Sequence, residues 1–194
     1  AREKFENVLA LNIYLPLDLR VNAEFYTALC AVELFHKDAE TLLQRFIDNH
    51  PESPKIKIAW FEMGKFQYRK KNWKKAVDWF EKLNTFDLDN EQLSEFYFKT
   101  GYSYFMLADF KNAKTNLDQI KGVENKYSSP ATYYSAHISY IEENYETALQ
   151  DFLKLENDKI FGAVVPFYIT QLYFLQKKYD KVIEYGTPLL SSAN

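Results

Sequence analysis

An all-α fold, a right-handed superhelical solenoid of helix–turn–helix repeats, is predicted by three features of this 194-residue sequence. First, an alanine-centred pattern recurs: Ala1, Ala39, Ala76, Ala113, Ala148 and then Val182 are spaced by 38, 37, 37, 35 and 34 residues. Second, apolar residues stand three and four apart on both sides of a short polar break in each unit, the mark of two amphipathic helices. Third, with only five glycines and six prolines, long flexible linkers are not expected. Self-similarity at this period marks an array of supersecondary units.

Each anchor carries the same company. Ala76 has Trp73 three residues before it, Phe80 four after and Leu83 seven after; Ala113 has Phe110, Leu117 and Ile120. Ala148 has Tyr145, Phe152 and Leu155, and Ala39 has Leu43 and Phe46, with His36 taking a packing position. Val182 has Tyr179 and Leu189, but Gly186 stands where a large residue is expected. Twelve residues upstream of each anchor lies a small or short side chain: Thr27, Gly64, Gly101, Ala136 and Thr170. Small residues on both helices let two backbones approach, and the aromatic before the anchor plugs the seam. The short breaks RKKN, LAD, EEN and QKK are the turns, and Pro51, Pro54, Pro130 and Pro166 fall between units or in first turns, where a missing N–H costs nothing. These boundaries divide a single solenoid, 1–194, into 1–19 (the second helix of an earlier repeat plus a linker), 20–56, 57–93, 94–128, 129–162 and 163–194.

The stretch from Trp60 to Leu83, W-x-x-M-G followed by A-x-x-x-F-x-x-L, resembles the tetratricopeptide repeat. The unit from Tyr97 matches with Gly101, Tyr104, Ala113 and Leu117, and Pro51 fits the closing proline of the unit before. The resemblance runs over essentially the whole chain, with departures at Gln67 and Ser139 in place of tyrosine and Pro166 in place of tryptophan. The motif NHPESPKIKIAWFEMGKFQYRKKNWKKA also resembles the longer-looped units of bacterial cell-envelope lipoproteins and assembly factors, which implies a periplasmic or outer-membrane-associated setting. Because Ala1 falls in the middle of a unit, the chain is expected to be a piece of a longer repeat protein, able to contact its own further repeats.

Composition narrows function. A net charge of -3, with 24 basic and 27 acidic residues interleaved, argues against nucleic acid as partner. The longest apolar run, 161–169, contains a proline, so no membrane span is expected. Cys30 is the only cysteine, and His36, His50 and His137 lie in different units without metal-ligand spacing. FDLDNEQ lacks the glycine turn and terminal glutamate of a calcium loop, and no phosphate-binding glycine motif occurs. Neither catalysis, nor a metal, nor a cofactor is expected.

What the repeat implies is a surface. In the family that the sequence resembles, ligands contact first-helix residues spare to the core. Projected here, these are Phe61, Lys65, Tyr68 and Arg69; Phe98, Tyr102, Phe105 and Met106; Tyr133, His137, Tyr140 and Ile141; and Phe167, Gln171, Phe174 and Leu175. Phe61, Phe98, Tyr133 and Phe167 are expected to be exposed in a concave groove; Tyr68, Phe105, Tyr140 and Phe174 either face it or seal the joint between units. Lys65, Arg69 and Lys99 do not reproduce the family's carboxylate clamp, so the partner expected is an apolar or aromatic segment or a helix of a protein or peptide. An accessory segment of a bacterial sensor or regulator, and capture of carbohydrate or lipid, are the two further readings.

Overall fold

A computed structural model describes residues 1–11 and 16–192; part of the expected linker before residue 20 lies outside the described residues. The described residues hold eleven α-helices, one 3₁₀ turn and no strand. They fall into two compact units, Ala1–Asp89 and Asn90–Asn194.

In the first unit, α1 (Arg2–Ala10), α2 (Leu17–Glu33), α3 (Ala39–Asn49), α4 (Ile56–Arg69) and α5 (Trp73–Phe80) pack each on the next, and α2 also touches α4. Its core gathers the predicted anchors Ala39, Leu43 and Phe46 with Phe25, Ile56 and Met63. Arg2 reaches from α1 to Asp38 at the start of α3 through two bonds of 2.5 and 3.1 Å. The guanidinium holds the Asp38 carboxyl down at about 2.

The second unit comprises α6 (Asn90–Met106), α7 (Phe110–Leu117), α8 (Ser128–Ile141), α9 (Tyr145–Leu153), α10 (Val165–Leu175) and α11 (Tyr179–Ser192), again packed in succession, with α6 also against α8. Pro130 and Pro166 lie in the first turns of α8 and α10, as their missing N–H allows. Ala113, Leu117 and Ile120 form one core with Ala131 and Ile138. Ala136, Ala148 and Phe152 form another with Val165, Ile169 and Leu172 of α10.

The expected seam is visible atom by atom. A Cβ added at Gly64 would stand 2.6 Å from the Phe80 ring, and one at Gly101 would stand 2.8 Å from Leu117 Cγ. Glycine in a helix interior is unfavourable by about 1 kcal/mol against alanine, and here it admits the bulky side chain four residues after each anchor.

Every turn between the paired helices closes the same way. Phe35, Lys71, Ala108, Glu143 and Lys177 all have φ between 50° and 59°, the left-handed region. The N–H of the next residue bonds the carbonyl five positions back, as in Asn72 to Gln67 at 3.0 Å, Asp109 to Tyr104 at 3.0 Å and Asn144 to Ser139 at 2.8 Å. This cap satisfies the helix's last carbonyls and reverses the chain, and it ordinarily uses glycine. His36 sits in the first such turn; it is exposed, with Nδ1 2.6 Å from Asp38 Oδ1, so it is not the packing residue expected from its spacing.

Candidate functional site

In the first unit the expected groove residues are largely absorbed by the fold. Phe61 is only 3% exposed. Its ring lies 6.0 Å from Phe80, and the Lys65 ammonium sits 5.2 Å above it, which corrects the expectation of a free aromatic face. Lys65 also pairs with Glu62 at 2.7 Å. Arg69 turns back to donate to the Val32 carbonyl and stacks over Phe35 at 5.0 Å. In the second unit Lys99 pairs with Glu95 at 3.3 Å. Lys65, Arg69 and Lys99 are therefore each engaged within their own units.

In the second unit the rows behave differently along the chain. Phe98, Tyr102 and Phe105 are half-buried around Tyr134 of α8, at ring distances of 6.5, 4.8 and 5.1 Å. Tyr133 and His137 are half-buried beneath α10: Tyr168 stands 4.6 Å from the His137 ring and stacks on Phe152 at 5.1 Å. Burial, with a hydrogen bond to Tyr168, pushes the Tyr133 phenol up to about 12 and holds the His137 imidazole below its ordinary range. Tyr134, Tyr168 and Phe161 complete these clusters, although their spacing gave no reason to single them out.

The second row has its own regular partner. Tyr68 lies 5.4 Å from Trp73, Phe105 5.9 Å from Phe110, Tyr140 6.0 Å from Tyr145 and Phe174 6.1 Å from Tyr179. Each pair clasps one turn across five residues, within its own repeat. The aromatic before the anchor is thus the clasp's second half.

The last helix pair is where expected contact residues stand open. Phe167 and Phe174 of α10 are 57% and 58% exposed, and Gln171 lies exposed between them. Facing them from α11 are Ile183 and Leu190, 67% and 75% exposed. With Thr170, Val182, Gly186, Thr187 and Leu189 they line a groove of about 580 Å³. Its floor is apolar, and among the described residues its side-chain polar groups are Gln171, Thr170 and Thr187. Contiguous exposed apolar surface is a feature of interaction sites.

Two other features lay outside the sequence reading. A cavity of about 640 Å³ opens between the start of α6 and the α7–α8 loop, walled by Tyr97, Tyr127, Ile120 and Val123. Its polar rim is internally paired, Lys126 with Glu91 at 3.2 Å and Asn125 with Ser94 at 3.4 Å. Asp151, almost fully buried on α9, takes Lys121 at 3.0 Å and Lys154 at 2.6 Å. Among the described residues no group of three or more His, Cys, Asp or Glu is gathered that could hold a metal, and no helix is long and apolar enough to cross a membrane.

Comparison with known proteins agrees with this architecture. The tetratricopeptide repeat model matches residues 22–53 and 95–122. Those two segments match the repeat, and the remaining helix pairs pack in the same succession. Among solved structures, it is similar to MamA, at 15% identity and a TM-score of 0.64 over 92% of this chain and 95% of that one. It is also similar to YrrB, described as a TPR protein with an unusual peptide-binding site, at 17% identity and a TM-score of 0.68 over 95% and 90%. The apo form of RapI aligns at 18% identity and a TM-score of 0.65, covering 95% of this chain and 56% of RapI. At these identities the likeness is one of fold. No curated protein sequence matches the chain.

Proposed function

We propose that this chain is a non-catalytic scaffold that binds a protein or peptide through aromatic residues of its first helices, chiefly where α10 and α11 leave them open. One observation carries the reading: Phe167 and Phe174 face Ile183 and Leu190 across an apolar groove with few polar groups. Apolar surface of this kind gains roughly 25 cal/mol per Å² when it leaves water, and rigid aromatic rings offer contact area with little entropy to lose. The half-buried Phe98, Tyr102, Phe105, Tyr133, His137 and Tyr140 act mainly as the support that fixes these helices. Sugar capture suits the site less well, because rings that stack on sugars need several polar groups beside them and this groove supplies three.

Peptides selected from a displayed library on the wild-type chain test this reading. Their binding should fall at least tenfold on the Phe167→Ala/Phe174→Ala double variant, with an unchanged helical circular dichroism spectrum showing that loss of the Phe174–Tyr179 clasp leaves the fold intact. Equal binding to both proteins would remove the groove from the site.

A further inference from the structure

The first unit holds a cleft of its own, of about 310 Å³, where α1, α2 and α3 meet. From α2 come Arg20, Glu24 and Thr27, four and three residues apart and so on one face of the helix. Arg45 and Asn49 of α3, also four apart, add polar groups, and Leu9, Leu42 and Phe46 supply an apolar wall. The volume is at the small end of the roughly 300–1,000 Å³ usual for small-molecule sites.

Thr27 is the residue that the fold does not account for. It is only 4% exposed, and among the described residues its hydroxyl has no hydrogen-bond partner. A threonine inside a helix can donate to the carbonyl four residues back. Thr170, which holds the same place in the last repeat, does so to Pro166 at 2.8 Å, and Thr132 does so to Ser128 at 2.9 Å. An unpaired buried hydroxyl is unfavourable, so one that lines a cleft points to a ligand atom as its partner.

Charge in the cleft has a definite sign. Both oxygens of Glu24 are engaged: Oε1 accepts from Arg20 Nε at 3.2 Å, and Oε2 lies 2.7 Å from His50 Nε2. Arg45 has no carboxylate partner among the described residues, and Arg20 gives Glu24 only its Nε. Two guanidiniums against one carboxylate leave a single positive charge in excess beside the apolar wall. That balance suits a monoanion better than a dianion, and the guanidinium fork matches a planar carboxylate.

We infer that this cleft binds a small monocarboxylic acid with a compact apolar body. Its carboxylate accepts hydrogen bonds from Arg45 and from the Thr27 hydroxyl, Arg20 adds attraction, and its hydrocarbon lies on Leu9, Leu42 and Phe46. The cleft shares no residue with the α10–α11 groove, so it stands or falls apart from the peptide-binding reading.

Calorimetric titration of the wild-type chain with straight-chain and branched monocarboxylates, 4-methylpentanoate among them, tests the assignment. The tightest acid should bind at least tenfold more strongly than its neutral amide or inorganic phosphate. Arg45→Gln and Thr27→Val should each weaken it at least tenfold. Thr27→Val should melt no lower than the wild type, because valine keeps the branched shape and removes an unpaired hydroxyl. Phe167→Ala/Phe174→Ala should bind the acid as the wild type does, whatever becomes of its peptide binding. No acid bound at millimolar concentration, equal binding of the amide, full binding by Thr27→Val, or a loss on the groove variant overturns the inference. Tighter binding of phosphate would make the cleft a general anion site. A peptide ending in leucine that binds more tightly than acetyl-leucine would make it a site for a chain end, and either result overturns the free acid.

Discussion

A methyl group at Gly101 would press on Leu117 Cγ at 2.8 Å and on the Ala113 carbonyl oxygen at 3.1 Å, while one at Gly186 would make an ordinary contact with Thr170 Cγ2 at 3.6 Å. Overpacking a core costs about 1–3 kcal/mol, against about 1 kcal/mol regained from helix propensity. Gly101→Ala should therefore destabilise the chain in urea titrations and Gly186→Ala should stabilise it slightly. His137 gives a pH signature. Burial lowers its folded pKa, so below its ordinary value of about 6.5 the unfolded state takes up more protons and stability drops. His137→Phe should flatten stability between pH 7 and about 5, read as urea midpoints across that range. The anchors and glycines were legible because each contact recurs with the period. Burial of Phe61 was not, because it depends on where Lys65 folds over the ring, which no spacing encodes.

The helices themselves follow from apolar residues three and four apart, but their closing turns do not advertise themselves. Five left-handed caps use Phe35, Lys71, Ala108, Glu143 and Lys177, so the glycine that usually signals such a cap is missing from every one. The polar breaks showed that a turn exists; its geometry became clear only from the bonds five residues back. A left-handed non-glycine residue is unfavourable by roughly 1–2 kcal/mol, and glycine's extra unfolded-state entropy offsets part of that. Ala108→Gly should raise stability by up to about 1 kcal/mol in the same urea titration, with an unchanged helical circular dichroism spectrum. A loss would mean that the cap draws on the Ala108 methyl in some other way. The aromatic clasps across four of these turns explain why the second row of expected contact residues is so uniformly aromatic: Tyr68, Phe105, Tyr140 and Phe174 each meet a partner five residues on.

For the chain as a whole, repetition makes both the fold and the candidate site readable by comparison of one repeat with the next. Matched positions were expected to play one role, and they do so in the seams at Leu43, Phe80, Leu117 and Phe152, with Gly186 the departure. They diverge at the surface, where Phe61, Tyr133 and Phe167 pass from buried to half-buried to exposed because different neighbours cover them. The central claim is that the apolar face of α10 and α11 is where a ligand rests. The most direct test is methyl-detected NMR of the isotope-labelled chain during titration with a groove-selected peptide. The account predicts that the shifts concentrate on Ile183, Leu189, Leu190 and Val182. Shifts centred instead on Ile120 and Val123 beside Tyr97, or an unchanged spectrum at saturating peptide, would contradict it.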